Sequence, residues 1–341
     1  LKGKYKKPKD LINSIKECQP DYVMINSTHL SWIAPFLEGE NINTCIYVRE
    51  QVRGRLNLAA AINKNCISQA TGVICISENE FKWIDNKNKH IIYNAINDEQ
   101  MDKLQIRTKT TPGTMEKKSN KHTFVNMAVP SIQKGGFVII LATLILKKGW
   151  WLEKTNKEDK LDNKVSIYML GAISKGFKRT SLPWVLVKTL TLKNLSLIYK
   201  LLVKILRLQK EIILLDYITD TDKYLSPCKF YIRSSITGDS WGRDVIEAMY
   251  KGKVCIVSGQ SPFIKNGKNG FTYHPCNFIK LAKIMKMCNR MSIDDYNRMS
   301  NYSKAIINEK CTFKAYEGEL TKALETLSNK SKRNRIIKTK S

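Results

Sequence analysis

Residues 230–259 constrain this chain more than any other stretch. An apolar run, Phe230-Tyr231-Ile232, leads into Ser235-Ile236-Thr237-Gly238-Asp239-Ser240-Trp241-Gly242-Arg243. Apolar residues at Val245, Ile246, Ala248 and Met249 then follow a helical spacing. Gly252 stops that pattern, and Val254 to Val257 is a second short apolar run. Strand, loop, helix and strand in this order are the parts of a parallel α/β layer. A helix that starts directly behind a loop presents free backbone N–H groups and a partial positive charge, so it suits a phosphate. Asp239 falls in the loop, and Glu247 falls one to two turns into the helix. Two carboxylates beside a phosphate-sized site suit a ligand with hydroxyls on both sides of a phosphate, and a sugar nucleotide is such a ligand. Acids in first helical turns also act as ordinary caps, which is the competing account of this pair.

The sequence downstream favours the first account. Ser261-Pro262 is followed by two Asn-Gly turns, at 266–267 and 269–270, and by Phe271. Acid, seven residues, Glu, Ala-Met, Gly, a small strand and an Asn-Gly-Phe turn together resemble the C-terminal half of retaining family-4 glycosyltransferases, the glycosyl transferases group 1, which have the GT-B fold. Upstream, Phe124 to Gly136 is similar to the strand and Lys-Gly loop that open the family's donor domain. Val165 to Gly171 is similar to its next strand, and Asp220, Asp222 and Tyr224 fit a later segment. Ile46 to Glu50, Ile74 to Glu78 and Ile92 to Asn97 are similar to the acceptor domain. The departures are Val129 where an Arg is usual, Asp239 where a Glu is usual, and Arg49 where many relatives have His.

The resemblance implies two Rossmann-like α/β domains facing a cleft. We expect an acceptor-side domain at 1–110, a donor domain at 111–310, a C-terminal helix at 311–327 and a basic tail at 328–341. The polar stretch from Asp98 to Lys121, with its Thr-Thr-Pro-Gly, reads as the connection. The chain begins with Leu1, and the family's first strand and Gly-rich loop are not visible. The first domain is therefore expected to be N-terminally truncated and to hold fewer parallel strands than the second.

The resemblance also assigns roles. Asp239 and Lys134 would be catalytic, Asp239 at the transferred sugar and Lys134 neutralising the leaving diphosphate. Glu247 would hold the ribose hydroxyls, with Trp241, Gly242, Arg243, Gly135 and Gly171 completing the donor site. Arg49 and Glu50 would face the acceptor. No metal or other cofactor is expected, because Lys134 and the helix end supply the positive charge. The donor would be a nucleoside-diphosphate sugar and the acceptor a saccharide, lipid or protein.

The formal net charge of +28 favours anionic partners. Nucleic acid is a weaker expectation, because no zinc finger, RNA-recognition signature or basic heptad region is present. The nine cysteines form no Cys-x-x-Cys pair and several lie in apolar runs, so buried free thiols and a cytoplasmic location are expected. The four histidines are scattered and form no metal-ligand pattern.

Residues 182–208 are expected to lie outside the family's pattern. Lys200, Lys204 and Arg207 share one face at helical spacing, and the rest is nearly all apolar. Five cations argue against a membrane span. The alternatives are a core helix with one solvated face or a basic helix lying on an anionic membrane surface, which would make the protein peripheral there. The rival functions are an inactive relative of the same fold, a sugar-nucleotide epimerase and a basic nucleic-acid-binding protein.

Overall fold

The computed structural model describes residues 8–49, 58–96, 123–149, 165–173, 195–238 and 242–338. The chain forms two compact units, one of Leu1–Ala95 with Lys310–Ser341 and one of Ile96–Glu309. The first unit therefore ends before the 1–110 boundary read from the sequence, and it takes back the C-terminal segment.

In the first unit, α1 (Pro8–Glu17), β1 (Tyr22–Ile25), a 3-10 helix (Thr28–Ile33), α2 (Ala34–Gly39) and β2 (Asn43–Val48) come first. α3 (Leu58–Gln69), β3 (Gly72–Cys75), α4 (Glu78–Trp83) and β4 (Lys89–Ile91) follow. The strands are all parallel, in the order β1-β2-β3-β4. Ile46, Val48 and Val73 are buried with Leu37 and Ile67 of the covering helices. Strands buried on both faces read as continuous apolar runs, which is why Gly72–Cys75 shows no alternation. The Glu38 carboxylate ties α2 to the sheet. Its Oε1 accepts the N–H and hydroxyl of Thr44, at 2.9 and 2.5 Å, and those of Thr71, at 2.9 and 2.6 Å.

The second unit holds β5 (Thr123–Met127), α5 (Gly136–Lys148), β6 (Ser166–Ile173), α6 (Ser196–Ile205), β7 (Ile212–Asp216), α7 (Asp222–Leu225) and β8 (Phe230–Arg233). α8 (Arg243–Tyr250), β9 (Val254–Ser258), β10 (Gly270–Tyr273), α9 (Phe278–Asn289) and α10 (Ile293–Lys310) complete it. Its six strands are parallel, in the order β10-β9-β8-β5-β6-β7. Among the described residues the first sheet has four strands and the second six, as expected. α5 reads GFVIILATLILKK and is buried along most of its length. Its β-branched residues are poor helix formers, so packing against the sheet and α9 outweighs propensity.

The last helix, α11 (Phe313–Lys338), belongs with the first unit. Ala323 and Leu327 are buried, and a Cβ on Gly72 would lie 2.3 Å from Leu327 Cδ2, so Leu327 would have to shift to admit a larger residue there. The helix also continues to Lys338, through most of the segment read as a basic tail. Seven cysteines are buried, Cys18 and Cys276 are exposed, and all nine are free thiols.

Candidate functional site

Strand order locates the site before any side chain is considered. In the second sheet the chain starts at β5, moves outward through β6 and β7, then crosses back to β8 on the other side of β5. In an open parallel sheet, ligands bind outside the carboxyl ends of the strands at the point where this order reverses. Here that point lies between β5 and β8. Two helices start from these strands' carboxyl ends, α5 behind Gly135 and α8 behind Gly242. Their first N–H groups suit a phosphate.

The two loops at this point are stitched together. The Ser234 hydroxyl reaches the carbonyls of Lys134 and Gly135 at 3.1 and 2.9 Å, and Ile236 N–H donates to Gln133 O at 3.0 Å. Gly135 has φ 61°, and a Cβ there would lie 1.9 Å from Ser234 O. Only glycine lets the Lys-Gly loop lie so close. Lys134 is half-buried beside it. Gly171, at φ 74°, sits where the β6–β7 register shifts, with Ala128 O 3.6 Å from its would-be Cβ. Lys134, Gly135, Gly171, Gly242, Arg243 and Glu247 therefore all lie at the carboxyl ends of β5, β6 and β8 or in the segments leaving them.

α8 carries the acidic residue. Glu247 is half-buried, and its Oε1 accepts from Arg243 Nε at 2.9 Å. Burial raises the Glu247 pKa, and the neighbouring Arg243 opposes that rise. Arg243 is mostly exposed, so the pair adds little stability. Asp239 and Trp241 lie outside the described residues, as does Glu50. Arg49 is exposed just past β2 in the first unit, with its guanidinium 5.5 Å from the Tyr47 ring centre.

A second set of residues was not anticipated from the sequence. Arg233 Nη1 reaches both Asp244 oxygens, at 2.6 and 2.7 Å, and the Tyr231 hydroxyl also donates to Asp244. Tyr231 lies within β8 and Arg233 ends it, while Asp244 lies in the first turn of α8. The cluster locks the helix start onto the strand. Gly242 lies against it, since a Cβ there would be 2.7 Å from Asp244 Oδ1 and 3.0 Å from Arg233 Nη1. The signal was present as an Arg and an Asp eleven residues apart. The Arg lies in a strand and the Asp in the helix after an intervening loop, so no single periodicity links them.

Residues 193–306 match the family described as glycosyl transferases group 1, so the resemblance read from the sequence is borne out over that stretch. No curated protein matches the chain. Among solved structures, Anabaena HepE in complex with UDP-glucose shares 15% identity and a TM-score of 0.67, covering 94% of this chain and 82% of its own. A glycosyltransferase from Rickettsia africae shares 17% identity and a TM-score of 0.61, over 96% of this chain and 83% of that one. Sucrose-phosphate synthase from Thermosynechococcus elongatus shares 12% identity and a TM-score of 0.67, over 94% and 77%. The fold is GT-B. The family match starts at residue 193, so it includes α6 and corrects the expectation that 182–208 falls wholly outside the pattern. Arg207 lies past the end of α6 at φ 55°, so it does not continue the face of Lys200 and Lys204.

Proposed function

We propose, from a GT-B fold whose residues 193–306 match the group 1 glycosyltransferases, that this chain moves a sugar from a nucleoside-diphosphate sugar to an acceptor with retention of configuration. One observation carries the reading. The Lys134-Gly135 loop and the Ser234–Ile236 loop are bonded together at the strand-order reversal, with Glu247 half-buried one helical turn into α8.

The donor diphosphate lies against the starts of α5 and α8, where backbone N–H groups meet it. Lys134 neutralises charge that builds on the leaving diphosphate, an interaction strongest in the transition state. Glu247 accepts hydrogen bonds from the ribose diol. Asp239, in the loop between β8 and α8, supports charge at the reacting sugar carbon. No metal is needed for these roles. The acceptor is a saccharide, lipid or protein, with Arg49 and Glu50 on its side. The uridine nucleotide in the HepE structure makes UDP-sugars the first donors to try.

A thermal-shift screen of nucleoside-diphosphate sugars, followed by assay of transfer or donor hydrolysis, tests the reading. The expected result is a raised unfolding midpoint for at least one donor, with turnover. Donor binding without turnover would leave an inactive relative of the fold. Salt-sensitive binding to random DNA with no donor binding would favour the nucleic-acid reading.

A further inference from the structure

The outward face of α6 is not explained by donor chemistry. Tyr199 and Val203 turn inward and are buried, with Leu195 and Ser196 beside them. Leu197, Leu201 and Ile205 turn outward and are 41%, 56% and 64% exposed. Spaced four apart, they form one stripe along the helix. Lys200 and Lys204 are exposed beside it, and the helix carries no acid. Arg207 and Lys210 extend the positive charge just past its end. The next acid, Glu211, is paired with Lys147 at 3.1 Å. β7 follows at the edge of the sheet, with Ile213 exposed on it and the exposed Asp216 and Tyr217 at and just past its end.

We propose that this face docks on an anionic phospholipid bilayer. Three large aliphatic side chains held outward favour an apolar environment. The two lysines reach past them with apolar stems, which places their ammonium groups at the level of lipid phosphates. Both attractions point at one surface, apolar inside and negative at its rim. A second copy of the chain fits less well, because a two-fold contact through this stripe would bring the lysines of both copies together. The inner side of α6 touches the loop ahead of α5, where Leu195 N–H donates to Pro130 O at 2.8 Å and the Tyr199 hydroxyl to Ser131 O at 3.4 Å, but Leu197, Leu201 and Ile205 point the other way and take no part in those contacts. The proposal therefore stands or falls separately from the glycosyltransferase reading.

The test is sedimentation of the full chain with vesicles of pure phosphatidylcholine and of equimolar phosphatidylcholine and phosphatidylglycerol. Two variants are compared, Leu201→Ser/Ile205→Ser and Lys200→Glu/Lys204→Glu. Wild type should bind the mixed vesicles and not the neutral ones. Each double variant should bind about tenfold more weakly or worse, given the worth of buried aliphatic groups and of a lysine near an anionic surface. Thermal midpoint and nucleoside-diphosphate affinity should stay at wild-type values, since the altered side chains are exposed and outside the donor site. Failure of wild type to bind would overturn the proposal, as would equal binding to neutral vesicles. Undiminished binding by both variants would assign the attraction to other basic segments and overturn it too. Light scattering that shows a dimer dissolved by Leu201→Ser/Ile205→Ser would replace the bilayer with a second copy.

Discussion

Glu247 lies four residues behind the first residue of α8, with its side chain 23% exposed and one oxygen already taking Arg243. Glu247→Gln keeps the size and removes the charge, and charge-assisted hydrogen bonds are about twice as strong as neutral ones. Nucleoside-diphosphate affinity should therefore fall by about 1–3 kcal/mol, read by calorimetry. Asp239→Asn should instead lower turnover more than donor affinity, because its proposed partner is the reacting sugar. If both acids were only helix caps, both changes would trim stability and leave affinity alone, which would remove this support for a transferase. Lys253 gives a prediction of a different kind. It is buried ahead of β9, donates to Ser226 O at 2.7 Å, and burial pushes its ammonium down from 10.5 to about 8. Cys228, Lys251, Asp222 and Lys304 face it. Between pH 8 and 10.5 the unfolded chain holds a proton that the folded chain has released, so this group's contribution to stability rises with pH across that window and is flat below it. Measured against Lys253→Met, which shares the other buried thiols and phenols, wild type should gain up to about 3 kcal/mol over that range. A pH-independent difference would count against a charged, buried Lys253. Glu247 was legible because the motif fixes its distance from the helix start. Lys253 was not, because burial of a lysine beside Gly252 depends on which strands neighbour β9.

At the scale of elements, most of the second unit could be read, and the reasons are local. Gly252 ends α8 with φ 69° and bonds Met249 O at 2.9 Å. Val254–Ser258 is a wholly buried strand, and Gly267 takes φ 78° in the first Asn-Gly turn. Each of these follows from a few adjacent residues. What the sequence hid is contact between distant elements. The Thr-Thr-Pro-Gly segment signals a connection, yet the first unit ends at Ala95, and α11 returns to lay Leu327 on Gly72. No pattern within 313–338 reveals which strand it will cover. The Arg233–Asp244–Tyr231 cluster is hidden in the same way, and its burial makes it strong. Asp244→Ala would take the carboxylate away from the buried Arg233 guanidinium, at a cost of about 3–5 kcal/mol. Denaturant unfolding should show that loss, and nucleoside-diphosphate affinity should fall with it because the start of α8 is freed. Full stability, or full affinity in a variant that still folds, would mean the cluster does not set the helix start. Glu38→Ala is the counterpart in the first unit. It removes the Glu38 acceptor from four donors at Thr44 and Thr71, two of which keep a longer bond to Thr71 Oγ1 or Asn43 Oδ1, and should cost about 1–3 kcal/mol, with nucleoside-diphosphate affinity unchanged.

The whole molecule is two units, each with its own parallel sheet and core, and the two loops bonded at the strand-order reversal belong to one of them. This makes the response to ligand local. A ligand that binds only the folded state stabilises what it contacts by RT ln(1 + [L]/Kd), about 2.7 kcal/mol at a hundredfold excess over Kd. If the proposed site holds the phosphates against the two loops and the first turns of α5 and α8, amide exchange on the full chain with saturating UDP should slow most in 128–138, 234–238 and 242–247. The end of β6 should show a smaller effect near Gly171, because that glycine borders the first loop through Ala128. The α2–β2 and α3–β3 junctions fastened by Glu38 should exchange as they do without nucleotide. A basic chain of +28 attracts any polyanion, so inorganic pyrophosphate is the needed control. Pyrophosphate should protect the two loops less than UDP and leave the second turn of α8, around Glu247, unprotected, since it has no ribose diol. Equal protection by both ligands would reduce the site to an anion trap. Protection strongest at the Glu38 junctions would move the nucleotide to the first unit and refute the assignment of the donor to the second.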